Sequence, residues 1–228
     1  MNKTVVVTGS SQGMGYEIAK KFLYNGWEVH GIDIQPCDIE SDSYFHHIAD
    51  VTDFDELPDI PSCNILINNA GIQTPTKDMF GDRMDMEVNF YGVKYCTEKY
   101  ALNNGNIQSV LNQGCTSALS GSEFAIYAAS KAAVVNYTIW TSHQIAKYGA
   151  TCNSLSVGGV ITPLNKPVMD DPESWEKIMM LTPLQKWAKA EEIADWAYFL
   201  TVTNKSCSGQ NIVIDNGESH PSTFVWGM

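Results

Sequence analysis

Positive charge is scarce in this 228-residue chain: 14 Lys and Arg stand against 26 Asp and Glu, so the formal charge is 14 − 26 = −12. A surface of that sign repels phosphate backbones and anionic lipids, which argues against nucleic acid or a membrane as partner. Long apolar runs are missing as well. None reaches the roughly 20 residues that cross a bilayer, and Met1-Asn2-Lys3 leads directly into a strand pattern without signal-peptide architecture, so the expected location is the cytoplasm. Paired cysteines are also lacking. Cys37, Cys63, Cys96, Cys115, Cys152 and Cys207 form no C-x-x-C, and no Cys/His cluster has zinc spacing. They are expected to be free thiols, no metal site is expected, and His46-His47 reads as a strand-end surface feature.

What is present suits a single globular domain over residues 1–228, with 44% hydrophobic and 18% charged residues. Apolar runs bounded by turn signals alternate with stretches of helical period, the pattern of parallel strands joined by crossover helices. Strands are predicted at 4–8, 27–33, 44–49, 65–68, 108–112, 151–157 and 210–215, and helices at 16–25, 85–101, 127–148 and 191–201. The expected fold class is therefore α/β, one doubly wound parallel sheet of about seven strands with helices on both faces. The span 163–184, broken by Pro163, Pro167, Pro172 and Pro183, resembles an insertion. Between residues 52 and 64, Pro58 and Pro61 leave no room for a full crossover helix.

The segment Thr8-Gly9-Ser10-Ser11-Gln12-Gly13-Met14-Gly15 lies between the first strand and helix. Its glycines allow a tight turn and a close ligand approach, while its N–H groups and the helix start favour a pyrophosphate. The candidate cofactor contacts here are Gly9, Ser11, Gln12, Gly13, Met14 and Gly15. Asp33 closes the second strand, where a carboxylate accepts hydrogen bonds from ribose hydroxyls and repels a 2′-phosphate. No Lys or Arg occupies the glycine loop, and Ile34 follows Asp33, so NAD(H) is expected over NADP.

Taken in order, these residues resemble the classical short-chain dehydrogenases/reductases. Thr8 to Gly15 matches T-G-x-x-x-G-x-G, Asp50-Val51 is similar to the adenine-contacting D-V, and Asn68-Asn69-Ala70-Gly71 matches N-N-A-G. Asn89 with Gly92 fits N-x-x-G, Tyr127-Ala128-Ala129-Ser130-Lys131 is Y-x-A-S-K, and Asn153 to Pro163 resembles N-x-x-x-P-G-x-x-x-T-P. The resemblance spans nearly the whole chain and implies a Rossmann-type oxidoreductase. It adds Asp50, Val51, Asn69, Ala70, Gly71 and Thr162 to the cofactor contacts, with Thr162 at the nicotinamide carboxamide. It also implies Tyr127 as general acid/base, Lys131 on the nicotinamide ribose and Asn89 interrupting its helix to hold a relay water. Independently, residues 127 and 131 are one helical turn apart on one face, and an ammonium beside a phenol should favour phenolate and bring Tyr127 toward neutral pH.

Two departures stand out against that pattern. The family's serine falls 13 residues before the tyrosine, which here is Gly114, whereas alignment on Asn112 puts Cys115 in its place with a loop one residue shorter. Cys115, Thr116 and Ser117 are the alternatives for the substrate-binding donor, and a thiol donates weakly. The other departure is Val157 in place of proline. By the resemblance, 163–184 is a substrate lid, with Met169, Trp175, Met179, Met180 and Leu181 as an apolar cover. An ordinary amphipathic helix packed on the body is the competing reading. The apolar end 223–228 suggests a homo-oligomer, tetramer or dimer. The expected activity is hydride transfer between NAD(H) and a small, partly apolar secondary alcohol or ketone. A nucleotide-binding regulator that has lost catalysis along with the serine is the alternative.

Overall fold

Val5, Val6 and Val7 expose no surface, because the strand they form is covered on both sheet faces. The computed structural model describes residues 3–74, 79–121 and 124–219, the side chains of 79–82 excepted. The expected oligomer contact at 223–228 lies outside the described residues. Seven strands, β1 (Thr4–Thr8), β2 (Glu28–Asp33), β3 (Tyr44–Ile48), β4 (Ile65–Asn68), β5 (Ser109–Cys115), β6 (Thr151–Val157) and β9 (Asn211–Ile214), make one sheet in the order β3-β2-β1-β4-β5-β6-β9. Every pairing in it is parallel, as the continuous apolar runs predict.

One apolar layer, containing Ile18, Phe22, Ile193 and Leu155, packs on one face of the sheet, and another, containing Ile32, Leu66, Tyr100 and Ile145, on the other. Helix α1 (Gly13–Tyr24) follows β1. Helix α2 runs over 79–102, and its turns at Glu87–Gly92 and Glu98–Leu102 are π-helical. Helix α3 (Ala125–Ile145) follows β5. No helix forms over 52–64, in keeping with Pro58 and Pro61.

Order reverses between β1 and β4, and at such a switch point the loops leaving the two strands diverge and open a crevice. Backbone and side chains stitch its floor. Thr8 Oγ1 accepts from the N–H groups of Asn69 and Ala70 at 3.0 Å each, and Asn69 Nδ2 donates to the carbonyls of Thr8 and Gly9, also at 3.0 Å.

The span 163–184 contains a turn at Pro163–Asn165, a short helix at Lys166–Met169 and helix α4 (Pro172–Leu181), none of whose residues is buried. Its base is clasped by a parallel pair that periodicity did not reveal, β7 (Val160–Ile161) against β8 (Ala188–Lys189). Two residues per strand are too few to leave a readable alternation. Helix α5 (Ala190–Tyr198) then returns the chain toward β9.

Candidate active site

Three glycines shape the β1–α1 loop by what they lack. Gly9 has φ +66°, and a Cβ there would lie 2.8 Å from Ala70 Cα; a Cβ on Gly15 would lie 2.0 Å from the Gly9 carbonyl oxygen. Gly13 adopts φ +58°, which non-glycine residues seldom tolerate. The loop therefore sits directly against the β4 exit. Two adjoining cavities follow from this, of 540 and 150 Å³.

The larger is lined by Gly9, Gln12, Asp33, Ile34, Asp50, Val51, Ala70 and Gly71 among others. The smaller is lined by Gly9, Gln12, Gly13, Met14, Asn69, Ala70, Gly71 and Thr162, with Pro163 and Leu164. The crevice thus gathers twelve of the expected cofactor contacts, eight in the larger cavity and a further four, Gly13, Met14, Asn69 and Thr162, in the smaller. Ser11, Gly15, Tyr127 and Lys131 line neither cavity. Gly15 is packed under Gly9, and the Ser11 N–H donates to Asp33 Oδ2 at 3.0 Å. The other carboxylate oxygen accepts from Gln35 N at 3.0 Å, so backbone donors fix Asp33 at the cavity wall. Asp50 accepts from Thr52 N and Oγ1, each at 2.9 Å. Among the described residues no Lys or Arg lines the larger cavity, while two carboxylates do. Asn69 Oδ1 is buried without a hydrogen-bond partner among the described residues, an acceptor available to a ligand.

At the far end of the crevice, Asn89 sits fully buried in the π-helical turn of α2. The α-helical pattern is interrupted there by a π turn, whose extra residue is absorbed without ending the helix; such turns are common at functional positions. Asn89 Oδ1 accepts from Ile72 N at 2.9 Å, and its Nδ2 donates to Ile72 O at 2.9 Å and to Ser130 Oγ at 3.1 Å. The side chain thereby ties the loop after β4 to α3.

Tyr127 and Lys131 lie on one face of α3, with the ammonium 5.8 Å from the phenol ring centre. Lys131 Nζ donates to Gln113 O at 3.2 Å, and a Cβ on Gly71 would come within 3.2 Å of it, so the ammonium reaches the crevice wall. Burial lowers the lysine to about 8, opposed by Cys115 and Asp85. The expected pull of Tyr127 toward neutral pH is not found. Burial, followed by the Cys115 and Asp85 charges, pushes its phenol well above 10, because desolvation opposes phenolate.

Of the three alternatives for the serine's place, Cys115 is the one whose side chain bears on the tyrosine, adding to the upward push on its phenol. The Thr116 N–H donates to Val157 O at 3.0 Å, and the buried Ser117 Oγ has no partner among the described residues. Val157 explains part of this geometry. As a non-proline it lets the β5–β6 ladder run to the pair Cys115↔Val157, carrying Cys115 on a regular strand end.

Sequence reasoning missed two contributors. Asp85 is one turn before Asn89 and accepts from Thr74 N at 3.1 Å; the i, i+4 spacing was its only signal. A buried chain, Asn68 Nδ2 to Asn112 Oδ1 (2.8 Å) and Asn112 Nδ2 to Thr138 Oγ1 (2.9 Å), ties β4, β5 and α3 behind the site. Such long-range pairs leave no local pattern.

The family described as enoyl-(acyl carrier protein) reductase matches residues 9–219. Glucose 1-dehydrogenase of Gluconobacter oxydans is 28% identical, covering 94% of this chain and 91% of its own. Momilactone A synthase of Oryza sativa is 30% identical, over 96% of this chain and 90% of its own. The ligand-free aldohexose dehydrogenase of Thermoplasma acidophilum superposes with a TM-score of 0.88 at 25% identity, over 100% of this chain and 98% of that one.

Proposed function

Because the chain belongs to the short-chain dehydrogenases/reductases, we propose that it transfers hydride between NAD(H) and a small, partly apolar secondary alcohol or ketone, with Tyr127 as general acid/base. The observation that carries this reading is Tyr127 and Lys131 on one face of α3, the ammonium 5.8 Å from the phenol ring centre and against the Gly71 wall of the crevice. A bound nicotinamide would supply or accept the hydride at the substrate carbon.

The residues of the crevice fit such a group. Gly9 and Gly13 admit a pyrophosphate against backbone N–H groups at the start of α1, and Asp33, held by Ser11 and Gln35, accepts from ribose hydroxyls. Two carboxylates without a cation in the larger cavity disfavour a 2′-phosphate, which supports NAD over NADP. Asp50 and Val51 would hold the adenine, Thr162 the carboxamide and Lys131 the nicotinamide ribose. Tyr127, protonated across the neutral range, donates its proton to the carbonyl oxygen as a ketone is reduced. Cys115 aligns that oxygen, and the Asn89 turn holds a relay water.

Lid residues Leu164, Met180 and Leu181 are largely exposed and supply an apolar cover over 163–184, which carries no Arg for an anionic substrate. A homo-oligomer, tetramer or dimer, is supported by Tyr91, Ile139 and Trp140, apolar side chains exposed on α2 and α3. The protein is read as cytoplasmic, acting on a small molecule.

Tyr127→Phe tests the proposal on a panel of ketones with NADH. Turnover is expected to fall about 10²- to 10⁴-fold with NADH affinity retained. A wild type that binds NADH but turns over no substrate would instead support the regulator, the reading that a weak thiol donor at position 115 favours.

A further inference from the structure

A glycine interrupts the middle of β2, where a side chain would otherwise strengthen the strand. A Cβ on Gly31 would collide with the Tyr44 hydroxyl and with Ser10 Oγ, so the gap it leaves is filled by those two groups. Tyr44, on the edge strand β3, reaches over β2 at this gap and meets Ser10 of the glycine loop at 3.1 Å; both residues are buried. Its hydroxyl also contacts His46 Nδ1 at 3.1 Å, and the other ring nitrogen, Nε2, contacts the Gln35 carbonyl at 2.9 Å. Ser11 Oγ donates to the same carbonyl at 2.8 Å, which closes a ring from Ser10 through Tyr44, His46 and Gln35 to Ser11.

A carbonyl oxygen only accepts, so His46 Nε2 carries a proton; in the neutral imidazole Nδ1 then accepts from Tyr44, whose oxygen is left to accept from Ser10. The chain thus runs in one direction, from the glycine loop to Gln35, and Gln35 is where it reaches the crevice. The N–H groups of Gln35 and Ser11 hold the two oxygens of Asp33, and Asp33 and Gln35 line the larger cavity while Tyr44 and His46 do not. We propose that Tyr44 and His46 are positioning residues for cofactor selection: they fix Gln35, and through it the Asp33 carboxylate, in the orientation that reads the adenosine ribose and rejects a 2′-phosphate. A carboxylate already held in place loses less freedom when the ribose arrives. The proposal rests on the assignment of Asp33 to NAD over NADP.

His46→Ala opens the ring at Gln35, and Tyr44→Phe keeps the aromatic packing but removes the hydroxyl that joins Ser10 to His46. In each variant NADH should bind about fivefold more weakly, the worth of one lost hydrogen bond, and the ratio of NADPH to NADH Kd values should narrow by a similar factor. His46→Gln, which retains a side-chain N–H of similar reach, should recover part of the preference. Because the two residues act through Asp33, His46→Ala should alter the ratio no further in an Asp33→Ala background, since effects along one path do not add. A general loosening of the fold would instead weaken both cofactors alike and add in full.

With wild-type protein preferring NADH, an unmoved ratio in both variants, or full additivity with Asp33→Ala, overturns the proposal and leaves the Asp33 assignment intact. Wild-type protein that prefers NADPH removes that assignment and the proposal with it. If neither variant folds, the wild type decides: ¹⁵N resonances of the neutral His46 ring should show Nε2 protonated and Nδ1 bare, and a proton on Nδ1 with Nε2 bare overturns the proposal. Binding and tautomer need no turnover, so full activity in Tyr127→Phe would remove the general acid/base from the proposed function while leaving both readable.

Discussion

At the β1–β4 end of the crevice the wall is mostly backbone, whereas at the β5–α3 end it is titratable side chains, Lys131 buried and Tyr127 and Cys115 partly so. The first end is shaped by steric exclusion: Gly9 and Gly15 have no space for a Cβ, and Thr8 and Asn69 lock the two loops together. The second is shaped by desolvation, which raises Tyr127 and lowers Lys131. A backbone cradle tolerates variation in the side chains around it. A cluster of desolvated titratable groups changes its behaviour when a single member is exchanged.

That contrast can be broken or sharpened. Gly15→Ala should have the largest effect, because its methyl group collides with the Gly9 carbonyl at 2.0 Å. We expect a loss of about 1–3 kcal/mol in stability and a collapse of NADH affinity, read by thermal denaturation and fluorescence titration. Normal NADH binding in this variant would mean that the cradle is not sterically fixed. Asp33→Ala comes next. Removing a carboxylate opposite the 2′ position should narrow the NAD(H)/NADP(H) preference by tens-fold, about 2 kcal/mol, measured as a ratio of Kd values. A wild type that already prefers NADPH sinks the assignment of Asp33.

The smallest change is expected at the other end of the crevice. Cys115→Ser replaces a weak donor by a hydroxyl on an ordered strand end and should raise kcat about fivefold, the worth of about 1 kcal/mol of hydrogen bonding. A fall in kcat would show that the corner is tuned to the thiol and that the hydroxyl geometry does not transfer.

Much of the fold was legible because its signals are local. Val5 to Val7 and Ile65 to Asn68 read as buried parallel strands, and Pro58 and Pro61 forbade a helix where none forms. The glycine loop and Asp33 were legible for the same reason, since each answers a backbone or charge requirement at its own position. Less was readable in the catalytic corner. Cys115, Thr116 and Ser117 are consecutive, and only the β5–β6 register, extended through Val157, keeps Cys115 on the strand while Thr116 leaves it. The two-residue strands β7 and β8 were too short for any period to betray them.

The sequence by itself determined the order of elements, the glycine cradle and the chemical types available: a phenol, an ammonium, a thiol and a carboxylate after β2. Local rules suffice there, because φ preferences, hydrophobic period and helix spacing act over a few residues. Only the tertiary structure decided the protonation of that chemistry. Nothing near Tyr127 in the chain says that desolvation holds its phenol protonated, and nothing near Lys131 says that its ammonium is buried against the Gln113 carbonyl. Desolvation depends on what surrounds a group in space, and that is set when α2, α3 and β5 pack together.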